Sequence, residues 1–340
     1  MSQDLVAPPA DAPAVRPARR KLVANAGPAD KVYRGVARGG GSLVLVLMAL
    51  VGTFLAYRAW EALSQAGLSF ITTEQWNPDG GGFGIAAVIV GTVLIAIVSV
   101  VVAVPLAMGT ALYISEYAPR WLKRTMIAMV DLMAAVPSVV FGLWGAFFLQ
   151  WKIIDLSRWI ADWFGWIPIF KVGGVERHDP LATMTAYTSS TFIAGVVVAL
   201  MVAPIACSVM REAFGLAPMG EREGAYALGA TRWGMIRSVV LPFGRGAVVG
   251  GTMLGLGRAL GETIAVVMII SPRFEIQPRV LEHGTSSVSS LIALRYGEAS
   301  PFGISALMAA GVALFVLTLL VNFVAAFVVS RSRSGAMSEA

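Results

Sequence analysis

The sequence is short of the residues that build most enzyme centres. Its single cysteine, Cys207, excludes a disulfide framework and a zinc cluster. Its two histidines, His178 and His283, fall outside the apolar runs, so no histidine-based metal site is expected. Charge is scarce: 14% of the 340 residues are charged, whereas a soluble domain carries about 25%. Apolar residues fill the gap, at 57% of the chain with a mean hydropathy of +0.74. A soluble protein of this length cannot hide so much apolar surface. Lipid is therefore the solvent for much of the chain, and an integral membrane protein is predicted.

A spanning helix needs roughly 20 apolar residues at about 1.5 Å each. Six segments qualify: Gly39–Tyr57, Gly80–Ser115, Met126–Gln150, Pro180–Met210, Gly246–Ser271 and Ala299–Ser330. Pro105, Pro137 and Pro204 interrupt them, which bundled membrane helices tolerate because neighbours re-satisfy the freed backbone groups. The predicted fold is an all-α membrane protein with six transmembrane helices in a permease domain over 39–330. Residues 1–38 read as a basic, Ala/Pro-rich tail, mostly disordered, and 331–340 as a second tail. No apolar stretch precedes Leu43, so no cleaved signal peptide is expected. Six spans put both termini on one side, which holds seventeen Lys and Arg against eight on the other. The positive-inside bias makes that side cytoplasmic.

The outer loop over 151–180 carries four of the nine tryptophans: Trp151, Trp159, Trp163 and Trp166. Interleaved with Ile153, Ile154, Leu156 and Ile160, they predict a helix lying in the outer interface, either an aromatic anchor or a docking ledge. The cytoplasmic loop over 211–242 predicts two angled helices. The first has a small-residue face around Ala225 and Ala227 and ends at Gly229; the second covers 231–240, with Pro242 opening a new helix. Such a loop is a docking knob or a plain helical connector.

The loop's residues Glu223, Ala225, Gly229, Val239, Leu241 and Pro242 resemble the EAA loop of ABC importer permeases, with Gly224 where Ala is usual. Three further stretches, Thr110–Pro119, Val136–Leu143 and Gly257–Thr263, are similar to the phosphate-specific importer permeases, on the PstC-type side of that family. The resemblance covers residues 80 to 330 and implies a type-I ABC importer permease fold in the bacterial plasma membrane. It implies a non-enzymatic subunit of an ATP-driven phosphate importer. Glu223, Gly224, Ala225 and Gly229 then belong to the coupling helix that docks on the ATPase. The implied partners are a second, PstA-type permease, a PstB-type ATPase dimer and a PstS-type phosphate-binding protein outside, with no nucleic acid. ATP and magnesium belong to the partner ATPase, and this chain holds no cofactor or metal; it has no Gly-x-x-x-x-Gly-Lys-Ser/Thr loop.

Arg258 and Glu262 stand four apart in the fifth apolar run, on one face if a single helix carries both. A charge at the bilayer centre costs about 2.5–3.5 kcal/mol on insertion scales. The pair is either a structural ion pair or part of an anion pathway, in which the planar guanidinium suits phosphate. In the second case Glu262 holds Arg258 until an anion arrives, or accepts a hydrogen bond from hydrogen phosphate, which sulfate lacks at neutral pH. Gly251/Gly255 and Gly257/Gly261 would let another helix approach closely. Ser138, after Pro137, is a candidate donor to the anion or to its own backbone. Asp131 reads as a partner for a basic loop residue, Cys207 as packing, and both histidines as solvated. Competing readings are a sulfate or molybdate permease and a proton-coupled secondary anion carrier using Glu262. An intramembrane protease is disfavoured, since only Asp131 could supply an aspartyl pair and no histidine lies in a span.

Overall fold

A computed structural model of the chain describes residues 27–175 and 183–332, with side chains in the last helix as far as 327. His178, Arg177 and most of both tails lie outside the described residues. The chain divides into two compact units, one ending at Val51 and one beginning at Gly52. Among the described residues six helices are long and apolar enough to cross a membrane, as expected.

Helix α1, Pro28–Ala66, starts earlier than expected. Pro28 suits the first helical position, and Asp30 pairs with Arg34 one turn on at 3.1 Å. So 28–38 is helix, where the sequence predicted tail. In the first unit Leu43, Val44, Leu45, Val46 and Leu47 are all exposed, the pattern of a helix apolar all round. In the second unit the end of α1 packs on the last helix. Ala59 and Ala62 are buried, and the Ala62 N–H donates to Ser305 Oγ at 3.2 Å.

Helix α2, Ala86–Tyr117, begins later than expected. A two-stranded hairpin, Trp76–Asn77 with Gly82–Phe83, takes the preceding residues. Asn77 accepts from the Gly80 N–H and Gly81 turns the chain at φ +80°. The last turn of α2, Tyr113–Tyr117, is widened to the π spacing.

The third span departs most from expectation. Helix α3, Arg120–Ala135, stops at Val136, and helix α4, Ser138–Phe164, is the span. Proline forces the residue before it out of the helical region, and Val136 is extended at ψ 130°. The predicted interfacial helix is therefore the C-terminal end of α4; no break falls between residues 150 and 151. There Ile153, Ile154, Ser157 and Ala161 face inward, while Trp151, Trp159 and Trp163 are exposed.

Helix α5, Thr191–Gly215, is the central strut. It lies against α2 at Gly195, where a Cβ would come within 2.6 Å of the Val98 Cβ. After helix α6, Met219–Ala227, helix α7 runs as Arg232–Gly261. Pro242 does not open a new helix. A π turn at Ile236–Val240 absorbs it, removing the clash between its ring and the carbonyl one turn back. Helix α8, Ile264–Ile269, helix α9, Val288–Arg295, and helix α10, Pro301–Ser332, complete the unit.

Candidate functional site

The fifth apolar run is two helices, not one. α7 ends at Gly261, and Glu262 turns extended at ψ 123° before α8 begins. Side chain and backbone of Glu262 both hold this break. Its Oε1 accepts the Ala265 N–H at 3.4 Å, capping α8, and its carbonyl accepts the Ser289 hydroxyl at 2.8 Å. A polar side chain that bonds local backbone competes with helix continuation. The expected i,i+4 arrangement of Arg258 and Glu262 is thus absent, and among the described residues no ion pair joins them.

Arg258 lies in the last turn of α7, exposed on a stripe with Leu254 and Gly261. The small-residue pairs separate by face. Gly251 and Gly255 meet the chain's own α5, where a Cβ on Gly255 would come within 2.5 Å of Val202 Cγ1. Gly261 has nothing within 4 Å, and Gly257 meets only Asn322 Oδ1 at 3.6 Å. Among the described residues, the Arg258 face of α7 is therefore unfilled.

Ser138 is the first residue of α4 and half-buried. α4 and α8 cross closely. A Cβ on Gly142 would come within 2.9 Å of the Ala265 Cα, and one on Gly145 within 2.9 Å of Ile269 Cδ1. The two contacts advance together, so α4 and α8 run parallel. Ser138 lies one turn before the Gly142 contact, and Ile264 one residue before Ala265. Among the described residues no hydrogen bond joins Ser138 and Glu262.

At the other end, α6 closes in a double C-cap. The Gly229 N–H donates to the Tyr226 carbonyl at 2.9 Å and the Ala230 N–H to the Ala225 carbonyl at 3.0 Å. Gly229 takes φ +83°, the left-handed geometry glycine reaches without strain. Thr231 then caps α7, its Oγ1 accepting the Gly234 N–H at 3.1 Å. Glu223, Gly224 and Gly229 are exposed. Ala225, one turn from Arg222, is half-buried and packs on the cluster that includes Met210, Phe214 and Met235. The outward face carries Met219, Tyr226 and Leu228, the last 91% exposed, which the sequence reading missed.

Beyond the spans, Glu282 ties two loops together. It accepts the Gly173 N–H and Arg279 Nη1, both at 2.9 Å, and faces Arg273 Nη1 at 3.5 Å. Burial pushes its carboxyl up, but the Arg279 hydrogen bond and the Gly173 N–H outweigh it and leave the group below its ordinary value. His283 is exposed, as expected, and its Nδ1 also lies 3.0 Å from the Thr188 carbonyl.

Residues 103–334 match the family described as binding-protein-dependent transport system inner membrane component. The chain belongs to this family. The permease is 39% identical to the phosphate transport system permease protein PstC 2 of Mycobacterium tuberculosis, over 95% of this chain and 96% of that protein. It is 36% identical to the phosphate transport system permease protein PstC of Mesorhizobium japonicum, over 95% and 98%. A crystal structure of a bacterial alginate ABC transporter, 17% identical, superposes with a TM-score of 0.55 over 87% of this chain and 93% of that one. The fold is that of an ABC importer permease, and the permease is an inner-membrane transport subunit rather than an enzyme.

Proposed function

We propose that this permease is the PstC-type subunit of an ATP-driven importer of inorganic phosphate. The observation that carries this reading is Arg258, a cation within an apolar span, on a helix face that the described residues leave open. Such a residue requires a partner or a wet path. A second, PstA-type permease meeting that face would enclose Arg258 in a shared pathway. The names of the relatives, both phosphate permeases, supply the anion. Arg258 would offer its planar fork to phosphate as the anion crosses a low-dielectric stretch. Ser138, at the start of α4, would donate a hydroxyl. Glu262 accepts the Ala265 N–H, and among the described residues it makes no ion pair with Arg258. Its second oxygen is the candidate acceptor for the proton of hydrogen phosphate.

The outward face of α6, with Glu223, Gly224, Gly229, Tyr226 and Leu228, would dock in a cleft of a PstB-type ATPase dimer. ATP and magnesium would bind there. A PstS-type phosphate-binding protein would deliver the anion from outside.

Uptake of radiolabelled phosphate, with sulfate as control, tests the reading in cells lacking this chain and in cells with it restored. Restored phosphate uptake that stops on ATP depletion and survives collapse of the proton gradient is the expected result. Arg258→Gln should lower it by about two orders of magnitude, as for loss of a charge-assisted contact of about 3 kcal/mol, with the complex still assembled. Restored sulfate uptake, or uptake that follows the proton gradient, would overturn the proposal.

A further inference from the structure

We infer that Glu116 and Arg222 form the joint through which movement of the coupling helix α6 reaches the second span. The inference rests on the transport reading above.

The Arg222 guanidinium is divided among three acceptors on two other elements. Nη1 donates to Glu116 Oε2 at 2.9 Å, Nε to the Ala217 carbonyl at 3.1 Å, and Nη2 to the Phe214 carbonyl at 2.6 Å. Phe214 stands in the last turn of α5, Ala217 two residues past its end, and Glu116 in the last turn of α2. The two side chains are 14% and 4% exposed. The other carboxylate oxygen, Glu116 Oε1, is buried without a hydrogen-bond partner. Arg222 is therefore the compensation this carboxylate has among the described residues. Parting a buried charge from its cation is costly, so α6 and the end of α2 move together.

A second grip adjoins the first. The Arg232 guanidinium lies 4.8 Å from the centre of the Tyr117 ring. Arg222 precedes the bend at Gly229 and Arg232 follows it. Consecutive residues of α2 thus hold both limbs of the coupling loop.

α2 carries the contact onward. At its outer end Thr92 Oγ1 accepts the Val288 N–H at 2.9 Å, and the neighbouring Ser289 hydroxyl donates to the Glu262 carbonyl. A chain of bonded groups thus runs from α6 along α2 to the helix break beside Arg258. Thrust on α6 from the ATPase would be felt at that break.

The test uses the whole transporter, reconstituted in vesicles with its second permease, ATPase and binding protein. Phosphate moved per ATP hydrolysed is measured for wild type, Glu116→Gln and Arg222→Lys, with assembly followed by co-purification. Both variants should assemble and hydrolyse ATP, while the ratio falls about tenfold, the size of a typical coupling between sites. Lysine keeps the charge but cannot reach three acceptors in one plane. A ratio unchanged in both variants, whether uptake and hydrolysis fall together or neither falls, would overturn the inference. Failure of both variants to assemble would also overturn it, making the pair an anchor only. Wild-type vesicles that move sulfate instead would defeat the phosphate reading, and the ratio would then be measured with sulfate.

Discussion

Glu262 shows how one residue changes role when its backbone turns. Four positions after Arg258, it would pair with it on a continuous helix. With ψ at 123° it caps α8 instead, and Arg258 is left without an ion-pair partner among the described residues. Residue spacing could locate these two groups but not the break between them. Gly229 is the opposite case, since its left-handed turn was legible as a glycine after a helix. Gly229→Val should strain the backbone at φ +83° by roughly 1–2 kcal/mol, the usual cost of a side chain there. Co-purification of the ATPase should weaken measurably, while Gly229→Asn, which tolerates that geometry, should retain it. Equal retention by both variants would mean the bend is unimportant for docking. Arg222 was invisible as a functional residue for a different reason. It stands between Glu221 and Glu223, and nothing local says that its partner is Glu116, distant in the chain.

Helices set the next scale. Six apolar runs gave six spans because burial in lipid demands length and apolarity, and both are written in composition. Their limits moved where a local competitor was stronger than hydropathy. Pro137 divided α3 from α4 and thereby joined the tryptophan-rich segment to the third span. Pro242, which reads as a helix start, was absorbed by a π turn. Which glycines serve packing was also hidden. Gly195 and Gly255 lie under Val98 and Val202, whereas Gly261 faces open space. Gly195→Val should overpack the α2–α5 contact and cost about 1–3 kcal/mol. The check is the midpoint of thermal unfolding of the purified permease in detergent, expected to drop for Gly195→Val. Gly261→Ala should leave that midpoint in place and act, if at all, on pairing with the second permease.

Across the molecule, two loops are fastened by Glu282 between Gly173, Arg279 and Arg273. The folded carboxyl lies below its ordinary value of 4.5. The unfolded state therefore binds the proton first, and stability from this group is complete above 4.5 and lost as pH falls below it, through the lowered folded value. Hydrogen exchange of 165–175 and 273–284, corrected for intrinsic rates, should be constant from neutral pH to about that point and rise below it. Glu282→Gln should raise exchange at neutral pH and flatten the profile. A wild-type profile matching that of Glu282→Gln would show that the carboxylate does not fasten the loops.

The sequence by itself determined the solvent of this protein, the number of its spans and the two helices that meet at Gly229. Each depends on composition or on neighbours a few residues apart. The tertiary structure decided where spans three and five break, which glycines are spent on the chain's own packing, and that Arg258 faces outward while Glu116 holds Arg222. Those outcomes depend on groups far apart in the chain, whose contacts form only once α2, α5 and α7 have packed. Local spacing carries no record of them.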